Sequence, residues 1–140
     1  MDVLLVEDNL SDVRLTSEAF QEVNASVRLA IAHDGDHALS LLRQQGPHRD
    51  APRPRLILLD LNLPRMSGHE VLAEIKADPE LRSIPVVVLT TSDAEIDMRN
   101  ADGLEASGYL RKPLDFAALV ELVRMVDASW IRSLERMRPD

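Results

Sequence analysis

The 140 residues fit one domain with a single substantial core. With 45% apolar and 29% charged residues the chain has an ordinary globular composition, and no stretch reaches the length of a membrane-spanning helix. Having no cysteine, it can form neither a disulfide framework nor a thiolate metal site, and its net charge of −8 argues against generic nucleic-acid binding. The opening MDVLLVEDN lacks a basic n-region and enters a strand at once, which argues against a signal peptide and fits a cytoplasmic setting.

Val3–Val6 is a short apolar run closed by Glu7, Asp8 and Asn9. Ser11 is a candidate N-cap for a helix through about Val23, with Val13, Leu15, Ala19, Phe20 and Val23 as its apolar positions. Val27–Ala32 reads as a second strand ended by the turn signal Asp34-Gly35, and Asp36 can cap the helix carrying Ala38, Leu39, Leu41 and Leu42. Residues 44–55, with three prolines and no periodicity, read as an exposed, mobile loop.

Leu56–Leu59 is a continuous apolar run stopped by the carboxylate of Asp60. A run without alternation reads as a strand covered on both faces, as in a parallel sheet. Pro64 cannot serve a sheet ladder, and Ser67-Gly68 opens a helix to about Ala77 with Val71, Leu72 and Ile75 on one face. Val86–Leu89, the most β-branched run, ends at Thr90-Thr91-Ser92. Ser92 or Asp93 can then cap a helix with Ile96, Met98 and Ala101. Gly108–Leu110 is a short fifth strand before Arg111-Lys112-Pro113, and a long helix follows over about 115–137.

Five strands alternating with five helices predict an α/β fold, a doubly wound parallel sheet with helices on both faces, in one domain with no output domain after it. The carboxyl ends of parallel strands share one rim, where ligands of open α/β sheets bind. That rim collects Glu7, Asp8, Asp60, Thr90 and Lys112. Three acidic groups held together repel unless a cation joins them, and magnesium takes one or two carboxylates together with a phosphate oxygen. Lys112 adds a fixed positive charge and Thr90 a hydroxyl donor, a set suited to a phosphoryl group. A carboxylate can act as the nucleophile and form an aspartyl-phosphate, and Asp60 at the tip of the central strand is the candidate.

The ordered set V-E-D, L-L-D-L-N-L-P with a following glycine, L-T-T-S and Y-L-R-K-P resembles the receiver domain of two-component response regulators, from about Met1 to Val126. Thr90 follows Asp60 by 30 residues and Lys112 follows Thr90 by 22, which also fits. The resemblance implies the flavodoxin-like strand order 2-1-3-4-5. It implies that Asp60 is phosphorylated by a sensor histidine kinase and that Mg2+ (or Mn2+) is held by Asp8, Asp60 and the main-chain carbonyl of Asn62. Glu7 would act mainly through metal-bound water. Thr90 and Lys112 would hold the phosphoryl group, Tyr109 would be the aromatic switch residue, and the Lys112-Pro113 peptide would be cis. The altered face would be built from the fourth helix, the fifth strand and the fifth helix. More narrowly, V-E-D-N-x-x-D-V-R-L, the D-L-N-L-P core, the proline-rich loop and a tail bearing Trp130 resemble the stand-alone regulators associated with phytochromes, so the implied kinase is a bacteriophytochrome.

Plainer readings stand beside these. Asp8, Asp60 or Lys112 alone would be a cap or a solvated charge, Thr90 a β-branched strand residue and Tyr109 a packed aromatic. The joint rim carries the sharper reading. His33, His37, His48 and His69 read as surface residues, not a metal set, because Asp34-Gly35 breaks the helix that would align the first two. In the last helix the apolar pattern runs on through Trp130, Ile131, Leu134 and Met137, beyond what closing the domain requires. At 1.5 Å per residue that helix would span about 35 Å. Its apolar extension either folds back on the domain or forms a homodimer surface, and the second is the expectation here.

Rival readings are a haloacid-dehalogenase-like phosphatase, a flavodoxin-like cofactor binder and an unphosphorylated receiver-fold binding module. The first lacks the second acid of D-x-D, where Asn62 stands, and the second lacks a phosphate-cradling loop after the first strand. The third is opposed by the intact acid set and Lys112.

Overall fold

The computed structural model describes residues 1–91, 106–113 and 115–132. Its strands are β1 (Val3–Val6), β2 (Leu29–Ala32), β3 (Leu56–Asp60), β4 (Val86–Thr90) and β5 (Gly108–Arg111). Its helices are α1 (Leu10–Val23), α2 (Gly35–Leu42), α3 (Gly68–Ala77) and α4 (Phe116–Val126), followed by a π-helical turn over Asp127–Ile131. All strand pairs are parallel, in the order β2-β1-β3-β4-β5.

The unbroken apolar strands have the cause the sequence suggests. Side chains alternate across a sheet, and here each face meets its own pair of helices. Leu4, Val6, Ile57, Leu59, Val86 and Val88 pack with Leu39 and Leu42 of α2 and Val71, Leu72 and Ile75 of α3. Val3, Leu5, Leu56, Leu58 and Val87 pack with Ala19 and Phe20 of α1 and Val120, Val123 and Val126 of α4. All five residues of β3 are buried, so Asp60 ends a strand with no solvent face.

Several boundaries differ from the sequence reading. Asn9, not Ser11, caps α1, its side chain accepting the Asp12 N–H at 3.1 Å. Asp34, not Asp36, caps α2 by accepting the His37 N–H at 2.7 Å, so the turn signal starts the helix that it was expected to precede. Asn, Asp and Ser are nearly equivalent caps, and sequence alone does not rank adjacent candidates. β2 begins at Leu29 because the Val27 amide is spent in a turn on Asn24 O. The 44–55 segment is tied down: it contains a 3-10 turn at Gly46–His48, Gln44 donates to Ala51 O at 2.8 Å, and Arg53 donates to Leu42 O at 3.0 Å. The expected helix beginning at Ser92 or Asp93 lies outside the described residues, as do Leu134 and Met137.

The C-terminal helix departs most from expectation. It is α-helical from Phe116, capped by Asp115, and widens to π geometry after Val126. Asp127 is 1% exposed, where its carboxylate accepts from Asn24 Nδ2 at 3.0 Å and pairs with Arg132 at 2.9 Å. The extra residue of a π turn rotates the chain and turns Ile131 into the α1–α4 core at 3% exposure, with Trp130 packed against the same cluster. A Cβ on Gly108 would stand 3.0 Å from the Trp130 ring, so β5 uses glycine where the indole lies across it. Trp130 and Ile131 are thus engaged within their own domain, against the expectation that they form an exposed extension.

Candidate functional site

Two strand-terminal residues and the residues directly after two further strands build the rim. Glu7 directly follows β1, Asp60 and Thr90 end β3 and β4, and Lys112 directly follows β5. The register sets these side by side: Val6 pairs with Leu59, Asp60 with Leu89, and Thr90 with Arg111. Glu7 is 2% exposed, Asp60 3% and Thr90 fully buried, whereas Asp8 is exposed. One carboxylate oxygen each from Glu7, Asp8 and Asp60 lies within 4.8 Å of the others, the only such group of possible metal ligands among the described residues. The histidines form no such group, although the His33 and His37 rings lie 6.3 Å apart and those of His37 and His48 5.4 Å. All three clustered groups offer hard oxygen donors, which suits magnesium or manganese.

Lys112 closes the cluster. Its main-chain N–H donates to Thr90 O at 2.8 Å, which fixes the residue at the end of β4. Its ammonium donates to Glu7 Oε1, to Asp12 Oδ2 at 3.0 Å and to Asp60 Oδ2 at 3.4 Å. The other Asp60 oxygen accepts the Asn62 N–H at 3.1 Å. Burial pushes the Glu7 carboxyl from 4.5 up to about 8, with the neighbouring Asp60 adding to the rise and Lys112 opposing it. For Lys112 burial works downward, but the bonds to Glu7 and Asp12 and the charge of Asp60 outweigh it and hold the ammonium above its ordinary value. The cluster therefore sets the carboxyl groups of Glu7, Asp8, Asp12 and Asp60 against the ammonium of Lys112.

The loop after β3 is shaped by close packing. A Cβ on Gly68 would lie 2.6 Å from the Asp60 carbonyl oxygen and from Leu61 Cα, so only glycine lets α3 begin this close to the strand end. Ser67 caps that helix, accepting the Glu70 N–H at 3.2 Å. Between them Arg65 takes φ 63°, inside a tight turn closed by Met66 N–H to Pro64 O at 2.7 Å, and its guanidinium pairs with the α2 cap Asp34 at 3.1 Å.

Of the residues singled out from sequence, the fold brings Glu7, Asp8, Asp60, Thr90 and Lys112 together, and puts Asn62 in the adjoining loop. Tyr109 is half-buried on β5, opposite Val88 and against the core under α2 and α3. There is no cis peptide among the described residues, so Lys112-Pro113 is trans, against expectation. Trans is the lower-energy form even before proline, by about 0.5–1 kcal/mol. Sequence reasoning gave Asp12 no role; its only signal was the third acid of V-E-D-N-x-x-D, in the first turn of α1.

Fold and rim together define a class: a doubly wound parallel domain with an acidic, lysine-closed site at the carboxyl ends of its strands. The chain belongs to the response regulator receiver domain family, whose sequence pattern it matches over residues 3–124. It is 44% identical over 132 residues to the response regulator Rcp1 of Synechocystis sp., covering 94% of this chain and 90% of that protein. Among solved structures it is similar to the phosphorylated cyanobacterial phytochrome response regulator RcpA, with a TM-score of 0.87, 42% identity and 94% of both chains covered. It is similar as well to the Mn(2+)-bound form of Rcp1, with a TM-score of 0.80, 42% identity and 94% of both chains covered. Members of this family are signalling proteins. Among the described residues no helix is long and apolar enough to cross a membrane.

Proposed function

We propose that this receiver accepts a phosphoryl group on Asp60 from the phosphohistidine of a sensor histidine kinase in the cytoplasm. The observation that carries the reading is Lys112, held at once against Glu7, Asp12 and Asp60 beside the buried Thr90. An Asp60 carboxylate oxygen attacks phosphorus, the P–N bond of the donor breaks, and its electron pair returns to the imidazole. Lys112 stabilises negative charge on the transferring group. Asn62 N–H, bonded to one Asp60 oxygen, holds the carboxylate in a fixed orientation.

Asp8, Asp60 and the Asn62 carbonyl would hold Mg2+ (or Mn2+), with Glu7 acting through bound water. The support is the oxygen-only cluster and the manganese bound by the similar protein Rcp1. Such a cation supplies positive charge that balances the three carboxylates and the phosphoryl oxygens. After transfer the Thr90 hydroxyl moves toward the phosphoryl group and Tyr109 fills the space it leaves. The face formed by the expected fourth helix, β5 and α4 then binds its target differently. This is a population shift set off by a local charge. Hydrolysis of the acyl phosphate by water resets it.

A kinase of the phytochrome class is the proposed donor, supported by the likeness to RcpA. Homodimerisation through the C-terminal helix belongs to the same reading; Met125, 41% exposed on α4, is an apolar residue available for it. The test is transfer of labelled phosphate from such a kinase. Label on the wild type and none on Asp60→Asn is expected. Label retained by the variant would sink the site assignment, and no transfer beside a working control regulator would remove that class of donor.

A further inference from the structure

The proposed phosphoryl site has a fourth carboxylate that no part of the chemistry above requires. Asp12 stands on the first turn of α1, its amide spent on the Asn9 cap at 3.1 Å. Its side chain turns toward the rim and accepts from the Lys112 ammonium at 3.0 Å, nearer than Asp60 at 3.4 Å. An ammonium has three protons, and Glu7, Asp12 and Asp60 take all three. A phosphoryl oxygen that reaches Lys112 must therefore displace one of these acceptors.

The three differ in what displacement costs. Asp60 itself carries the incoming group and is then no longer a free carboxylate, so its contact passes to the phosphoryl oxygens. Glu7, with a side chain 3% exposed, would be left buried without its partner. The Asp12 side chain is 41% exposed. Asp12 and Lys112 also line an open cleft of about 200 Å³ between α1 and α4, so water reaches the pair and can replace the ammonium at Asp12. Asp12 is thus, of the two partners that remain, the one that yields more readily as the phosphoryl oxygens close on Lys112.

On the phosphoacceptor reading, we propose that Asp12 is a positioning residue that competes with the phosphoryl group for Lys112 and so sets how readily the site is occupied. With Asp12 absent, one Lys112 proton is uncommitted before the phosphoryl group arrives. The pair is part-exposed and screened, so the effect is modest, about two- to fivefold.

The test is fluoroberyllate, a phosphoryl mimic, titrated with magnesium into the full chain and followed by 19F NMR. Asp12→Ala is expected to bind it about two- to fivefold more tightly than wild type. Asp12→Glu, which restores the acceptor, returns to the wild-type value. Asp36→Ala removes a first-turn acid of α2 on the same rim without touching Lys112 and leaves the affinity unchanged. Equal or weaker binding by Asp12→Ala beside a wild type that binds overturns the role of Asp12 alone. An equal gain in Asp36→Ala also overturns it, since the effect would then be one of net charge. A wild type that takes up no fluoroberyllate overturns the phosphoacceptor reading, and the role of Asp12 with it.

Discussion

Glu7 is the residue whose environment has the clearest measurable consequence. Its carboxyl sits at about 8 in the folded chain against 4.5 when free, mainly because it is buried. Below 4.5 both states hold the proton and Glu7 makes no difference to stability. Between 4.5 and about 8 the folded chain keeps a proton that the unfolded chain has released, so stability falls as pH rises; above that range the loss is complete. In chelator, the urea midpoint is expected to drop through this window and to drop less in Glu7→Gln. An identical pH slope in the two proteins would contradict the burial of an acid here. Asp60 was legible from residue order because it closes an unbroken apolar run, whereas Lys112, which follows Arg111, stood out only beside the other groups of the rim. Asp12 was not legible, because only the crossing of α1 over the rim brings it to a lysine 100 positions away.

At the level of elements, the strands were the easiest to read, since burial on both faces leaves an unbroken apolar run. Helix starts were harder, because Asn9 and Ser11, like Asp34 and Asp36, carry the same capping chemistry. The tail was misread for a different reason. Helical periodicity assumes 3.6 residues per turn, and the π turn at Asp127–Ile131 breaks that count. At Trp130 and Ile131 the stripe expected to face outward is turned inward, with Asp127 held between Asn24 and Arg132. Ile131 is therefore a core residue, and Ile131→Ala is expected to cost about 2–5 kcal/mol in urea unfolding. The cost should not vary with protein concentration. A midpoint that rises with concentration in the wild type and not in the variant would instead return Ile131 to a dimer interface.

For the molecule as a whole, the sheet does the work of assembly. Parallel register brings groups more than 100 residues apart to one rim, and buried strands on both sides keep Glu7, Asp60 and Thr90 from solvent. The order β2-β1-β3-β4-β5 places β3 at the centre, so Asp60 lies between the acids after β1 and the lysine after β5. What results is an acidic rim closed by the ammonium of Lys112, the arrangement on which the proposed phosphoacceptor role rests. The most direct test is the intact mass after incubation with acetyl phosphate, with magnesium or with chelator. A gain of one phosphoryl group that needs magnesium and is lost in Asp60→Asn is the expected result. A gain of the same size in chelator, or on Asp60→Asn, would contradict the assignment of this rim as a metal-dependent phosphoacceptor.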